Sequence, residues 1–368
     1  MKMTNRSALL LLIMPLLAML LMVIFGFRKK PPVAELKIEL GRQLFFDKAL
    51  SHPNGQSCTV CHAPKTAFSD PNHAVVSEGM VDGAFVNRNS QSLAYVSFIP
   101  PLQRSANGEY FGGLFWDGRS SSLTHQLSGP FFNPAEMNNA DTLSLITEVK
   151  QAPYYRLYKQ VYGRIKDPKT AYNQLCEAIA AFESSDVFNE FSSKYDYYLA
   201  GKVQLSEQER KGLSLFEGKG RCNACHLTTP QPESGRVLFT NHHYYNLGIP
   251  RNPQNPFYST FSEINPQGEA AIDLGLGAVV QDENQNGKFR VPTLRNVQYT
   301  GPYFHNGYCA TLQEAVHFVN ARDVDSIYPR PEVSQNVAHQ ITGSSRLTVE
   351  EEQAIVAFLL CLSDGYER

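Results

Sequence analysis

Apolar positions recur at helical spacing in several stretches of the chain and alternate at strand spacing almost nowhere. The stretches Val33 to Phe46, Asp141 to Tyr162, Thr170 to Leu199, Ser206 to Phe216, Leu312 to Asn320 and Thr348 to Leu362 carry that periodicity with few breakers. Three of them begin on an N-cap signal. Ser206 with Glu209 and Thr348 with Glu351 form S/T-x-x-E capping boxes, and Thr311 stands one residue before Leu312. From Thr228 to Gly287 the chain is rich in Pro, Asn and Gly, which predicts loops with short elements. The pattern therefore predicts a mainly α fold with long loops and few short strands.

The helical pattern is weakly duplicated. Gly41-Arg42-Gln43-Leu44-Phe45 ends the first helical stretch, and Gly212-Leu213-Ser214-Leu215-Phe216 ends the fourth. Both read G-x-x-L-F, and the plain reading is that the Leu and Phe are core residues. Gly201 to Leu205 is the expected junction between two halves, 31–202 and 203–368.

The N-terminus stands apart. Lys2 and Arg6 precede an almost unbroken apolar run from Ala8 to Phe27, which Arg28, Lys29, Lys30, Pro31 and Pro32 end. A run near 20 residues can span a bilayer and also matches a long signal-peptide core. Neither an A-x-A cleavage site nor a lipobox Cys is visible, so residues 1–30 are expected to be a signal peptide or a membrane anchor, with the balance slightly towards the anchor. The basic residues after the run fit that orientation poorly under the positive-inside tendency. On either reading the rest of the chain faces the periplasmic side. Across 368 residues, 42% hydrophobic and 18% charged content suits a globular protein with real cores. A formal charge of -2 argues against nucleic acid as a partner.

The chemistry lies in the cysteines. Four of the seven fall in Cys58-Thr59-Val60-Cys61-His62 and Cys222-Asn223-Ala224-Cys225-His226. C-x-x-C-H is a signature of c-type haem attachment. Its two thiols add to the haem vinyl groups, and the adjacent His62 or His226 turns under the ring as an axial ligand of the iron. A zinc or dithiol redox site is the rival reading, but no further ligand pair accompanies either motif. The expected fold is thus two cytochrome c-like helical domains, each with one covalent haem. Cys176, Cys309 and Cys361 remain; Cys309 with Cys361 is open as a disulfide, and an odd number leaves at least one thiol unpaired.

From about Glu35 to Gly365 the sequence resembles the bacterial di-haem cytochrome c peroxidase family, which includes the MauG-like enzymes. The motifs run in that family's order: L-G-R-x-L-F-F-D at Leu40 to Asp47, the first C-x-x-C-H, R-N-S at Arg88 to Ser90 and F-W-D-G-R at Phe115 to Arg119. Next are Gly129-Pro130, Glu136-Met137, the second C-x-x-C-H, F-R-V-P-T-L-R-N-V at Phe289 to Val297 and G-P-Y-F-H-N-G at Gly301 to Gly307. The resemblance implies that the N-terminal haem reacts with hydrogen peroxide and the C-terminal haem relays electrons from a small cytochrome c or similar donor. It implies Trp116, the only Trp of the chain, between the two haems, and Gln126 and Glu136 beside the peroxide. It implies a calcium ion held by the Asn89 side chain and the Thr300 and Pro302 carbonyls, an oxygen set that suits calcium. It also allows a homodimer.

Two positions depart from that family's pattern. The S-x-G-H segment that carries a removable His ligand reads Ser77-Glu78-Gly79-Met80 here, so the N-terminal haem is either open or closed by Met80, with His73 a weaker alternative. The position that supplies a Met or Tyr to the C-terminal haem is Val319, which cannot ligate iron. That half contains no Met, leaving an open site, His317 after a helix shift, or His242 or His243. A MauG-like oxidase acting on a partner protein and a non-catalytic electron carrier remain as alternatives.

Overall fold

The protein is described by a computed structural model over residues 31–367 apart from residue 233; the N-terminal segment 1–30 lies outside the described residues. No described helix is long and apolar enough to cross a membrane. In chain order the helices are α1 (Val33–Phe45), α2 (Leu123–Leu127), α3 (Thr142–Gln151), α4 (Tyr155–Tyr162), α5 (Pro168–Glu183), α6 (Lys194–Leu199), α7 (Glu207–Glu217), α8 (Leu276–Val280), α9 (Leu312–Ala321) and α10 (Val349–Leu360). The strands among the described residues are two-residue pieces. Gln103–Arg104 pairs antiparallel with Tyr110–Phe111, and Tyr244–Tyr245 with Phe289–Arg290.

The capping boxes at Ser206/Glu209 and Thr348/Glu351 are both formed, and Thr311 makes a third with Glu314. Each satisfies two backbone groups that a helix start would otherwise leave open. The expected continuous helix from Thr170 to Leu199 is broken. Ser184 and Ser185 turn their hydroxyls back onto the Ala180 and Phe182 carbonyls, and Ser193 with Asp196 caps a new helix. Serines that bond nearby backbone compete with helix continuation.

Two similar cores result. In the first, α1 crosses α5, and Leu40, Leu44, Phe45, Ile179, Phe182 and Phe188 pack together. In the second, α7 crosses α10, and Tyr195, Phe216, Phe239, Ile355 and Phe358 pack together. Phe45 meets Phe182 edge-on at 5.5 Å, and Phe216 meets Phe358 edge-on at 5.3 Å. Fully burying one such side chain contributes roughly 1.5–3 kcal/mol.

The stretch 88–120 joins the halves. Asn89 N–H donates to His305 O, Gly112 N–H to His242 O, and Arg290 N–H to Trp116 O. Arg88, which begins this stretch, is clamped by Asp273 at 2.6 Å and Asp117 at 2.6 Å. The pairing of Cys309 with Cys361 that the sequence left open does not form. Both are buried free thiols in separate apolar clusters, and Cys176 is a third, inside the first core.

Candidate haem centres

Each C-x-x-C-H begins as a single 3₁₀ turn, Cys58–Val60 and Cys222–Ala224. In both, the His N–H bonds back to the first Cys carbonyl at 2.9 Å. The imidazoles are oriented alike. His62 Nδ1 donates to Phe68 O at 3.0 Å, and His226 Nδ1 donates to Phe239 O at 2.8 Å. A carbonyl can only accept, so the proton sits on Nδ1 and the Nε2 lone pair is left for a metal. Burial lowers both imidazole pKa values, that of His226 to about 4, which keeps the rings neutral. The thiols are desolvated: Cys61 and Cys222 are raised to about 12, Cys225 to about 11, and Cys58 further. Neutral thiols fit addition to a vinyl group better than zinc binding. Among the described residues no cluster of three or more His, Cys, Asp or Glu is placed to hold a metal ion.

Beside His226 lies a cavity of about 270 Å³, far more than the roughly 10–15 Å³ that one water needs. Cys222, Cys225 and His226 line it together with apolar side chains that include Phe216, Leu312, Val316, Ile355 and Leu359. An apolar slot with two thiols and one free imidazole nitrogen fits a covalently held haem, so the residues present match the group that the motif implies.

At the first centre, Glu136 follows a chain of tight turns from Gln126 through Gly129 and Asn133. Its Oε1 accepts from Asn133 Nδ2 at 2.7 Å. Desolvation raises its pKa above the ordinary carboxylate range, and its charge is felt by both Cys58 and Cys61. Met80 N–H donates to Glu136 O at 2.8 Å, while its Sδ lies 3.6 Å from Ser51 Oγ. Gly79 must be glycine for this contact, since a Cβ there would lie 2.4 Å from the Ala135 carbonyl. Gln126 is half-buried on α2, whose Leu127 enters the core. His73 is exposed, with Nδ1 on Gly301 O at 2.9 Å.

Trp116 lies in the stretch 88–120 that joins the halves. Its Nε1 donates to Asn89 O at 2.9 Å, and it lines the His226 cavity together with Asn89, Thr300 and Pro302. The Asn89 amide nitrogen is committed to the Ala74 and Val75 carbonyls, which turns its Oδ1 the other way.

Val319 faces the His226 cavity. His317 does not line it; its Nδ1 is 2.8 Å from Glu352 Oε1 and its Nε2 3.5 Å from Asp325 Oδ2. His243 stacks on Phe111 and lies 3.5 Å from Glu109. His242 is buried in the cavity wall. The sequence reading missed three groups here: Asp273, Arg290 and His305. Asp273 sits in the loop-rich stretch with no local signal. Arg290 and His305 lie inside the Phe289 to Val297 and Gly301 to Gly307 motifs, but nothing in their spacing distinguishes them from packing residues.

The family model for di-haem cytochrome c peroxidases matches residues 35–204. The chain is 35% identical over 354 residues to the methylamine utilization protein MauG of Paracoccus denitrificans, covering 90% of each. It is 29% identical to the cytochrome c551 peroxidase of Pseudomonas aeruginosa, covering 85% of this chain and 80% of that protein. Among solved structures, the diheme peroxidase BthA from Burkholderia thailandensis superposes with a TM-score of 0.78 at 32% identity, over 92% of this chain and 87% of the other.

Proposed function

The chain belongs to the di-haem cytochrome c peroxidase family, and on that premise we propose that it reduces hydrogen peroxide to water on the periplasmic side. Two electrons from a small cytochrome c or similar donor and two protons convert one peroxide into two waters. The observation that carries this reading is Glu136, a desolvated carboxyl with a raised pKa beside the first C-x-x-C-H. When bound to Cys58, Cys61 and His62, the haem supplies the redox-active iron at which the O–O bond is reduced. Glu136 takes the proton from one peroxide oxygen at Oε2 and returns it to the other, which leaves as water. Asn133 holds Oε1 and so fixes which oxygen of the carboxyl is free. Gln126 assists in holding the peroxide.

In this reading residues 31–202 carry the reactive centre and 203–368 the electron-relaying one, with Trp116 coupling them. Calcium is part of it: Asn89, Thr300 and Pro302 line the same cavity, and an amide oxygen with two backbone carbonyls is the kind of hard oxygen set that calcium takes. The test is steady-state peroxide consumption by the haem-loaded soluble chain with a reduced small cytochrome c. Glu136→Gln is expected to lower turnover by about 10²–10⁴-fold, the range for general acid–base groups. Unchanged turnover would remove Glu136 from the reaction.

Val319 favours a second reading, a MauG-like oxidase that modifies a partner protein. A side chain without a ligand atom stands in the cavity of the second centre, and axial ligands set haem potential. Absence of peroxide turnover with donor, together with a modified aromatic residue in a co-purified partner, would select it.

A further inference from the structure

The wall of the His226 cavity contains a cation without an anionic partner and an imidazole without any hydrogen-bond partner among the described residues. Arg290 is 4% exposed, yet its side chain makes only two long contacts of 3.4 Å, Nε to Phe115 O and Nη1 to Val291 O. No Asp or Glu side chain pairs with it among the described residues. The contrast with the other buried arginines is direct: Arg295 holds Asp196 with two bonds, and Arg88 lies between Asp117 and Asp273. His242 is 5% exposed, and neither Nδ1 nor Nε2 has a hydrogen-bond partner. Both residues line the same cavity as Cys222, Cys225 and His226. They are close enough for the Arg290 charge to depress the His242 pKa, although burial is the larger cause.

A buried guanidinium without an anion and a buried imidazole without any partner are both costly, because each has given up its water. Neither deficit can be met by an apolar ligand. A carboxylate meets both: its oxygens accept from the guanidinium fork and from the imidazole N–H. A c-type haem carries two carboxylates, its propionates. We infer that Arg290 and His242 form the propionate anchor of the second haem. This rests on the haem reading of Cys222, Cys225 and His226. The anchor also touches the coupling residue through backbone, since Arg290 N–H donates to Trp116 O at 2.8 Å.

The experiment uses the full chain with both haems attached, as wild type, Arg290→Gln, Arg290→Lys and His242→Phe. Haem per chain is counted first. The resonance Raman propionate bending bands and the midpoint potential of each haem are then measured. Removing a nearby positive charge favours the ferric state, so Arg290→Gln is expected to shift the propionate bands of one haem. It should lower that haem's midpoint by a tenfold change in the reduction equilibrium, about 59 mV for one electron. Arg290→Lys should retain most of the potential, and His242→Phe should shift the same bands. Should Arg290→Gln fail to fold, His242→Phe decides on the bands alone. Unchanged bands and potentials with both haems in place would overturn the anchor. So would a wild-type potential that follows added phosphate or chloride, which would make the group a free-anion site. A chain that carries no haem on Cys222 and Cys225 would instead remove the underlying haem reading.

Discussion

Gly212 and Ala354 meet backbone to backbone: a Cβ on Gly212 would lie 1.9 Å from the Ala354 carbonyl oxygen. Gly41 and Ala178 stand in the same relationship, also at 1.9 Å, in the other core. The glycine of each G-x-x-L-F motif is therefore the crossing point of two helices, α1 with α5 and α7 with α10. Gly41→Ala and Gly212→Ala should each destabilise the protein by about 1–3 kcal/mol, despite the better helix propensity of Ala. Thermal unfolding of the haem-loaded protein measures this; an unchanged midpoint would show that the helices can separate at no cost.

Glu183 is 1% exposed, its Oε2 has no hydrogen-bond partner, and burial pushes its pKa up to about 8. A carboxyl raised by folding stabilises the folded state below its unfolded pKa, and that contribution is lost as pH rises through the folded value. Stability should thus fall from about pH 5 to about pH 8, the interval between the two values. Glu183→Gln should flatten that slope. Denaturant midpoints across the interval check it, and parallel curves for the two proteins would refute it.

Arg88 bridges Asp117, the neighbour of Trp116, to Asp273 of the other half. Arg88→Leu leaves Asp273 buried without its partner and should cost about 3–5 kcal/mol at neutral pH. Burial pushes the Asp273 carboxyl up, but the Arg88 charge and its hydrogen bonds together outweigh that and hold it well below the usual carboxylate range, so the loss should shrink as pH falls and Asp273 protonates. A deficit of equal size at acid and neutral pH would argue that the damage is steric.

Val319 already faces the second cavity. Val319→Met places a thioether there, and the second haem should change to a ligated, higher-potential species while the first is untouched. Absorption and EPR spectra of the ferric and ferrous protein report the change. An identical spectrum would mean that another group holds the sixth position in the native protein.

The motif-level features were legible because each is local. C-x-x-C-H fixes its own turn, and the capping boxes at Ser206 and Thr348 fix their helix starts within four residues. The break at Ser184 to Ser193 was hidden because apolar periodicity persists across it while the serines redirect the backbone. The partner of Arg88 was hidden for a different reason: Asp273 is 185 residues away, in a stretch with no periodicity.

By itself, then, the sequence determined the mainly helical class, the two attachment motifs, the duplicated G-x-x-L-F and the absence of a ligand atom at Val319. All of these depend on residue type and short spacing. Tertiary structure alone decided that His62 and His226 turn Nδ1 to a carbonyl and leave Nε2 free, and that Cys309 and Cys361 stay apart. It also decided that Arg290 lines the cavity without an anionic partner and His242 without any hydrogen-bond partner. Those facts depend on where distant backbone carbonyls, thiols and charges come to rest once the cores close, and no short-range pattern encodes that.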